Sequence, residues 1–256
     1  MAGPVAGPLA KLESRRGWAL SLCEAAGEAG GSFKASVQAP RSGQITGPAE
    51  DPARSAAEAA RRARGKVRRY CAANRFDRLG TLTYAGAGCH DLDRLVADVG
   101  RFFRQLRAGL GGKPFAYVWV PEWHKTGHGL HVHFAVGRYI KRSLIEDAWG
   151  HGFVHIKLLG DLPVGSGSLG EARKAAGYLS KYVGKAFTDD RLPGRNRYDV
   201  AQGFQPKITP VWGTSRAEAI REASDRMGVR APSYVWSSDR TDGWHGPPAV
   251  WVQWPG

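Results

Sequence analysis

Apolar and polar positions between residues 76 and 187 follow the periods of helices and strands. Apolar residues recur every three or four positions over residues 91–110, which predicts a helix with one buried stripe. Over residues 129–136 they alternate with polar residues, which predicts a strand with one buried face. Weaker patterns predict three more strands, at residues 78–84, 115–120 and 153–159. They also predict four more helices, at residues 53–73, 141–149, 168–186 and 215–227.

The order of these elements predicts an α+β fold. Neighbouring strands joined by a short turn run antiparallel, so we expect a central, mostly antiparallel sheet flanked by helices over residues 53–187. Residues 1–52 are rich in Gly, Ala, Pro and Ser and have no clear period, which predicts a flexible, disordered segment. Residues 188–256 are predicted to form a C-terminal extension with a loop, a helix and a tryptophan-rich tail.

The overall charge points to a polyanionic partner. The chain of 256 residues has a formal net charge of +14, and nucleic acid is the first candidate partner. An anionic membrane surface is the second, but no apolar run approaches the roughly 20 residues that span a bilayer. No secretory signal is visible, and the three cysteines are widely spaced. We therefore expect a cytoplasmic protein without a membrane partner.

Basic residues are concentrated in the predicted helix at residues 53–73. A solvated helix face and a DNA-gripping helix are both compatible with such a run, and its density favours DNA. Two lysines of the helix at residues 168–186 extend the same interpretation. The candidate DNA-binding residues are Arg61, Arg62, Arg64, Lys66, Arg68, Arg69, Lys174 and Lys185.

A candidate metal site lies on the predicted strand at residues 129–136. Because side chains alternate along a strand, His131 and His133 point the same way and can share one ion. A hairpin would bring Glu122 beside them and leave coordination positions open, as a catalytic metal needs. The alternative is a polar, exposed strand face. His124 and His128 are nearby and are interpreted as loop residues.

A candidate nucleophile site lies on the predicted helix at residues 168–186. Tyr178 and Tyr182 are four positions apart and therefore share one helix face, with Lys181 beside them. A nearby ammonium group favours the phenolate form of tyrosine and can neutralise a phosphate. An amphipathic helix with incidental tyrosines explains the residues equally well.

The order of three motifs is more specific than any one of them. It resembles HUH-superfamily rolling-circle replication initiators of bacterial plasmids and phages, through Thr81-Leu82-Thr83-Tyr84, then His131-Val132-His133, then Tyr178-Leu179-Ser180-Lys181-Tyr182. The resemblance covers residues 76–187 and implies the HUH endonuclease fold, which is ferredoxin-like or RRM-like. Conjugative relaxases of the same superfamily usually place their tyrosines before the histidine motif.

The resemblance also implies site roles and a function. His131, His133 and Glu122 would bind a divalent metal, Mg²⁺ or Mn²⁺, while Tyr178 and Tyr182 would be nucleophiles and Lys181 the lysine of the tyrosine motif. The expected enzyme nicks one strand at an origin, forms a 5′-phosphotyrosine and leaves a 3′-hydroxyl primer. Its partners would be single-stranded or hairpin origin DNA, a host helicase and a DNA polymerase.

Two other functions and one structural question stay open at this point. A mobilisation or transposition nuclease would use the same residues. A non-catalytic DNA-binding module would hold a structural zinc with four ligands, one of them His124 or His128. The tryptophans of the tail could stack on bases or cap the domain, and we favour the cap; they are Trp236, Trp244, Trp251 and Trp254.

Overall fold

The architecture is given by a computed structural model. It describes residues 16–35, 52–158, 169–192, 197–244 and 246–255. The chain divides into two compact units. We call residues 48–205 the central unit, and residues 1–47 together with residues 206–256 the outer unit. The disorder predicted for residues 1–15 and 36–51 lies outside the described residues.

The described parts of the chain contain ten strands and five α-helices. The strands are β1 (Gly17–Cys23), β2 (Glu28–Lys34), β3 (Arg78–Tyr84), β4 (Tyr117–Trp123), β5 (Leu130–Val136), β6 (Gly152–Leu158), β7 (Asp199–Val200), β8 (Thr209–Gly213), β9 (Tyr234–Ser237) and β10 (Ala249–Gln253). The helices are α1 (Pro52–Ala73), α2 (Leu92–Gly109), α3 (Arg142–Trp149), α4 (Leu169–Thr188) and α5 (Arg216–Met227).

The central unit is built on an antiparallel sheet with the strand order β6-β3-β5-β4-β7. One face carries α2 and α3, where Phe102, Phe134 and Trp149 pack with their rings 5.5 to 6.1 Å apart. The other face carries α4, which packs on β4 and β5 and also against α1. The prediction of an α+β fold with a mostly antiparallel, helix-flanked sheet is confirmed.

Local chemistry fixes the ends of the site-bearing elements. Asp91 caps α2 by accepting hydrogen bonds from the backbone of Asp93 and Arg94. In the turn between β4 and β5, Gly127 and Gly129 have positive φ angles of 80° and 91°, a conformation that favours glycine. Gly129 also leaves no room for a side chain, since an added Cβ would lie 2.3 Å from the carbonyl oxygen of Cys89. This turn sets the register in which β4 meets β5.

The outer unit corrects the prediction for the N-terminal segment. Residues 17–34 form a β-hairpin rather than a disordered segment, inside an antiparallel sheet ordered β8-β1-β2-β10-β9. The pattern was hard to see because β2 is rich in small residues. Gly31 is required there, since an added Cβ would lie 1.9 Å from the carbonyl oxygen of Ala19 on β1.

The C-terminal segment contributes three of the strands in the outer unit. The predicted helix is confirmed as α5, while much of the predicted tail belongs to β9 and β10. Trp254 is fully buried and its indole N–H donates to the Ser224 hydroxyl at 3.0 Å. For Trp254 the structure therefore agrees with a role in packing.

Candidate metal and tyrosine site

Three metal-ligating side chains meet on the face of the sheet that carries α4. Glu122 on β4 pairs directly with His131 on β5, and His133 lies two residues further along the same face. The Glu122 Oε2 atom lies 2.9 Å from His131 Nε2 and 2.8 Å from His133 Nε2. The hairpin predicted from the sequence thus has the register that converges all three groups.

The surroundings of Glu122 favour its charged form. Burial alone would raise its pKa, but hydrogen bonds with His131, His133 and Lys185 hold the pKa well below its usual range. Lys185 Nζ on α4 lies 2.8 Å from Glu122 Oε1, so both carboxylate oxygens have partners. A carboxylate that stays ionised at neutral pH is the form that binds a cation.

His133 is held in place by a hydroxyl group on the neighbouring strand. Its Nδ1 atom lies 3.1 Å from Thr81 Oγ1, because Thr81 on β3 pairs with His133 on β5. Burial lowers the pKa of His133 below its ordinary value of 6.5, so the ring is neutral at pH 7. A neutral imidazole can offer Nε2 to a metal while Nδ1–H donates to Thr81, an arrangement that fixes the ring orientation.

The two tyrosines lie together on the face of α4 that meets the sheet. The ring of Tyr182 stacks on His133 with a centroid distance of 3.7 Å and an interplanar angle of 26°. The hydroxyl oxygens of Tyr178 and Tyr182 are 2.8 Å apart, within hydrogen-bond distance. Burial and this hydrogen bond raise the pKa of Tyr182 above its ordinary value. Tyr178 is more exposed, at 36%.

Other candidate residues lie outside this cluster. Lys181 is exposed on α4, and the lysine that contacts Glu122 is Lys185. His124 Nδ1 lies 2.6 Å from Thr126 Oγ1, and His128 Nε2 lies 2.9 Å from the Tyr84 carbonyl oxygen, so both histidines contact their own loop region.

The predicted basic helix forms as α1, with its arginines on the outside. Its small and apolar residues Ala60, Ala63 and Val67 are buried, while the exposed basic residues are Arg61, Arg62, Arg64 and Lys66. Arg68 and Arg69 are partly buried, and Lys174 is exposed on α4. The Arg64 side chain runs close to Gly184, the residue before Lys185, so the basic surface of α1 continues onto α4 near the site.

The residues fit a divalent metal ion. The ligand atoms of Glu122, His131 and His133 all lie within 4.8 Å of one another, and this is the group of metal-ligating side chains found among the described residues. Two imidazoles and one carboxylate make a site with open coordination positions rather than a closed structural site. The expectation of a divalent metal is consistent with this geometry.

Fold and site together define an α+β unit that places a metal-binding group beside two tyrosines. Residues 77–187 match the model of a family of replication-associated proteins of the ORF2 type. The matched segment contains the metal-binding group and both tyrosines, and it supports a replication-initiator role with DNA as the partner. No curated protein and no solved structure matched the chain. Among the described residues no helix is long and apolar enough to cross a membrane.

Two residues of the site were not given their structural roles by the sequence patterns. Thr81 was part of a motif without an assigned contact, and Lys185 was assigned to DNA binding rather than to Glu122. The helical positions of Lys185, Tyr182 and Tyr178 share one face, and that spacing was a usable signal. Nothing in the local pattern of β3 indicated which histidine Thr81 would meet.

Proposed function

We propose that the chain is a rolling-circle replication initiator of the HUH superfamily. It would nick one DNA strand at an origin and keep that strand as a 5′-phosphotyrosine. The observation that carries this proposal is the stacking of Tyr182 on His133, whose Nε2 converges with His131 on Glu122. A phenol is thereby held directly against a metal-binding group.

The proposed reaction is phosphoryl transfer to a tyrosine. The phenol oxygen forms a bond to phosphorus, and the bond from phosphorus to the 3′ oxygen breaks. The phenol gives up its proton, for which the other tyrosine hydroxyl, 2.8 Å away, is the nearest acceptor toward solvent. The leaving 3′ oxygen takes a proton from water. The 3′-hydroxyl then serves as a primer for a host polymerase.

The metal-binding group and Lys185 would share the electrostatic work. Glu122, His131 and His133 would hold Mg²⁺ or Mn²⁺, which polarises a phosphate oxygen and stabilises its developing charge. Lys185 Nζ lies 5.0 Å from the centroid of the Tyr182 ring, where its charge favours loss of the phenol proton. Thr81 keeps the His133 ring in place throughout.

Two tyrosines allow two successive transfers. After one round of synthesis the second tyrosine would attack the regenerated junction, and the freed 3′-hydroxyl would then release a circle. The basic surface of α1 would contact phosphates of the origin DNA. A cytoplasmic setting and a host helicase fit this role. A mobilisation or transposition nuclease would share the chemistry and differ in its DNA substrate.

A covalent-adduct assay tests the proposal. Full-length protein is incubated with end-labelled single-stranded DNA and Mn²⁺, denatured and separated by size. We expect a labelled protein band that EDTA prevents and that the double variant Tyr178→Phe, Tyr182→Phe does not form. Tyr139→Phe is the matched control, because Tyr139 is exposed outside the site. An adduct formed by the double variant would rule out tyrosine attack, and four-ligand metal coordination without any adduct would favour the zinc module.

A further inference from the structure

The edge strand β6 carries an open surface beside the proposed catalytic site. Side chains alternate along β6, so Val154 and Ile156 face the helices α2 and α3 while Phe153, His155 and Lys157 face the other way. We call these three residues the β6 face. The position of these residues on the sheet, their exposure and their chemistry all bear on what this surface does.

The β6 face lies in the same row of the sheet as the metal-binding group. Thr81 on β3 pairs with His133 on one side and with His155 on the other, so all three side chains are on one face. Neighbouring strands are about 4.8 Å apart, which places His155 about 10 Å from His133 across the sheet. A single extended strand of DNA can therefore contact both positions.

This surface is open to solvent. Phe153 is 70% exposed, and His155 and Lys157 are exposed as well. The helix on this face, α4, packs on β4 and β5 and leaves β6 uncovered. Tyr178 is the side chain of α4 that reaches toward it, because a small cavity of about 50 Å³ is lined by Tyr178, Thr81, His133, His155 and Lys157.

The chemistry of the β6 face matches single-stranded nucleic acid. An exposed aromatic ring can stack on a base, and a lysine can pair with a phosphate. The alternate residues Phe153, His155 and Lys157 are about 7 Å apart along the strand, so the ring and the ammonium group contact different parts of one ligand. The central unit has 26 lysines and arginines and 15 aspartates and glutamates, a net charge of +11 that attracts a polyanion.

We propose that the β6 face is a binding subsite for the single-stranded DNA that flanks the cut phosphate, on the side of Tyr178. This inference rests on the proposed function and adds a second contact surface to it. The two tyrosines then differ in their surroundings: Tyr182 stacks on the metal-binding group, and Tyr178 shares a cavity with the subsite.

A binding assay without metal tests the subsite. The fluorescence anisotropy of a labelled, unstructured single-stranded oligonucleotide is followed with full-length protein in EDTA at several salt concentrations. Phe153→Ala should weaken binding about fivefold or more, as expected for loss of one stacked base. Lys157→Ala should reduce the slope of log affinity against log salt by about 0.7, the value for one phosphate contact.

Two controls are matched in exposure and residue type. Tyr139 is also 70% exposed, and Lys113 is an exposed lysine outside the β6 face. Tyr139→Ala and Lys113→Ala should bind the oligonucleotide as wild type does. Thermal melts of all four variants establish that each is folded.

The adduct assay on the same proteins separates the subsite from the proposed function. If wild type forms the adduct but Phe153→Ala and Lys157→Ala bind DNA like their controls, the subsite is wrong and the function stands. If wild type forms no adduct but these variants lose affinity selectively, the β6 face remains a DNA-binding surface and the function is wrong. Equal losses in all four variants, or a surface that instead joins two copies of the chain, would overturn the subsite.

Discussion

Thr81→Val should weaken metal binding without removing any metal ligand. The substitution keeps the shape of the side chain and removes the Oγ1 atom that lies 3.1 Å from His133 Nδ1. The ring then loses the group that fixes its orientation, and Nδ1 is left without that partner. Removing such an outer partner typically costs 10- to 100-fold in metal affinity.

The lower end of this range is expected here. One neutral hydrogen bond contributes about 1 kcal/mol, and about 1.4 kcal/mol corresponds to a factor of ten in affinity. His133 also retains its stacking with Tyr182, which limits how far the ring can turn. We therefore expect the Mn²⁺ affinity of Thr81→Val to fall about tenfold.

Metal-dependent stabilisation is a direct measure of this change. At a Mn²⁺ concentration 100 times the dissociation constant of wild type, binding stabilises the folded protein by about 2.7 kcal/mol, and a tenfold weaker site gives about 1.4 kcal/mol. The quantity to compare is the difference in unfolding free energy with and without Mn²⁺, since this cancels the effect of the substitution on the metal-free protein. Isothermal titration calorimetry provides an independent value.

Thr83→Val is the matched control on the same face of β3. Thr83 pairs with His131 rather than His133, so its substitution should leave the Mn²⁺ affinity close to that of wild type. Thr81→Ser keeps the hydroxyl and should restore binding. Wild-type affinity in Thr81→Val, or an equal loss in Thr83→Val, would show that the hydroxyl of Thr81 does not orient a metal ligand.

Four further predictions concern the site, the core and the outer unit. Lys185→Met should slow adduct formation about tenfold, through loss of a half-exposed charged hydrogen bond to Glu122, while Lys181→Met has little effect in the same gel assay. Leu179→Ala empties a fully buried position and should lower the unfolding free energy by about 2–5 kcal/mol in urea titrations. Gly31→Ala places a Cβ 1.9 Å from a neighbouring backbone oxygen and should destabilise the outer unit by about 1–3 kcal/mol, followed by tryptophan fluorescence. The depressed pKa of Glu122 contributes stability that is present above its ordinary value of 4.5 and lost as the pH falls, so Glu122→Gln should flatten the decline of melting temperature with acid in metal-free protein.

The strands of the central unit were predictable because their side-chain alternation is strong. The period of β5 placed His131 and His133 on one face, and the short turn before it placed Glu122 opposite them. Both inferences need only local geometry. The metal-binding group could therefore be predicted from residues that lie within 12 positions of one another.

Contacts between distant elements could not be predicted in the same way. Lys185 meets Glu122 across 63 positions, and Thr81 meets His133 across 52. Such contacts depend on how α4 packs on the sheet and on the strand order, which no period specifies. The hairpin at residues 17–34 was missed for a related reason, since β1 and β2 pair with strands of the C-terminal segment.

The discontinuity of the outer unit has a consequence for folding during synthesis. Residues 48–205 are continuous and can fold as soon as they leave the ribosome, but Leu20 on β1 waits for its partner Val211 on β8. At about 5–20 residues per second, this delay is roughly 10–40 s. During that time the hairpin of β1 and β2 has two unpaired edges, which are templates for wrong pairing. Slower translation between these partners should therefore increase aggregation of the outer unit more than it affects the central unit.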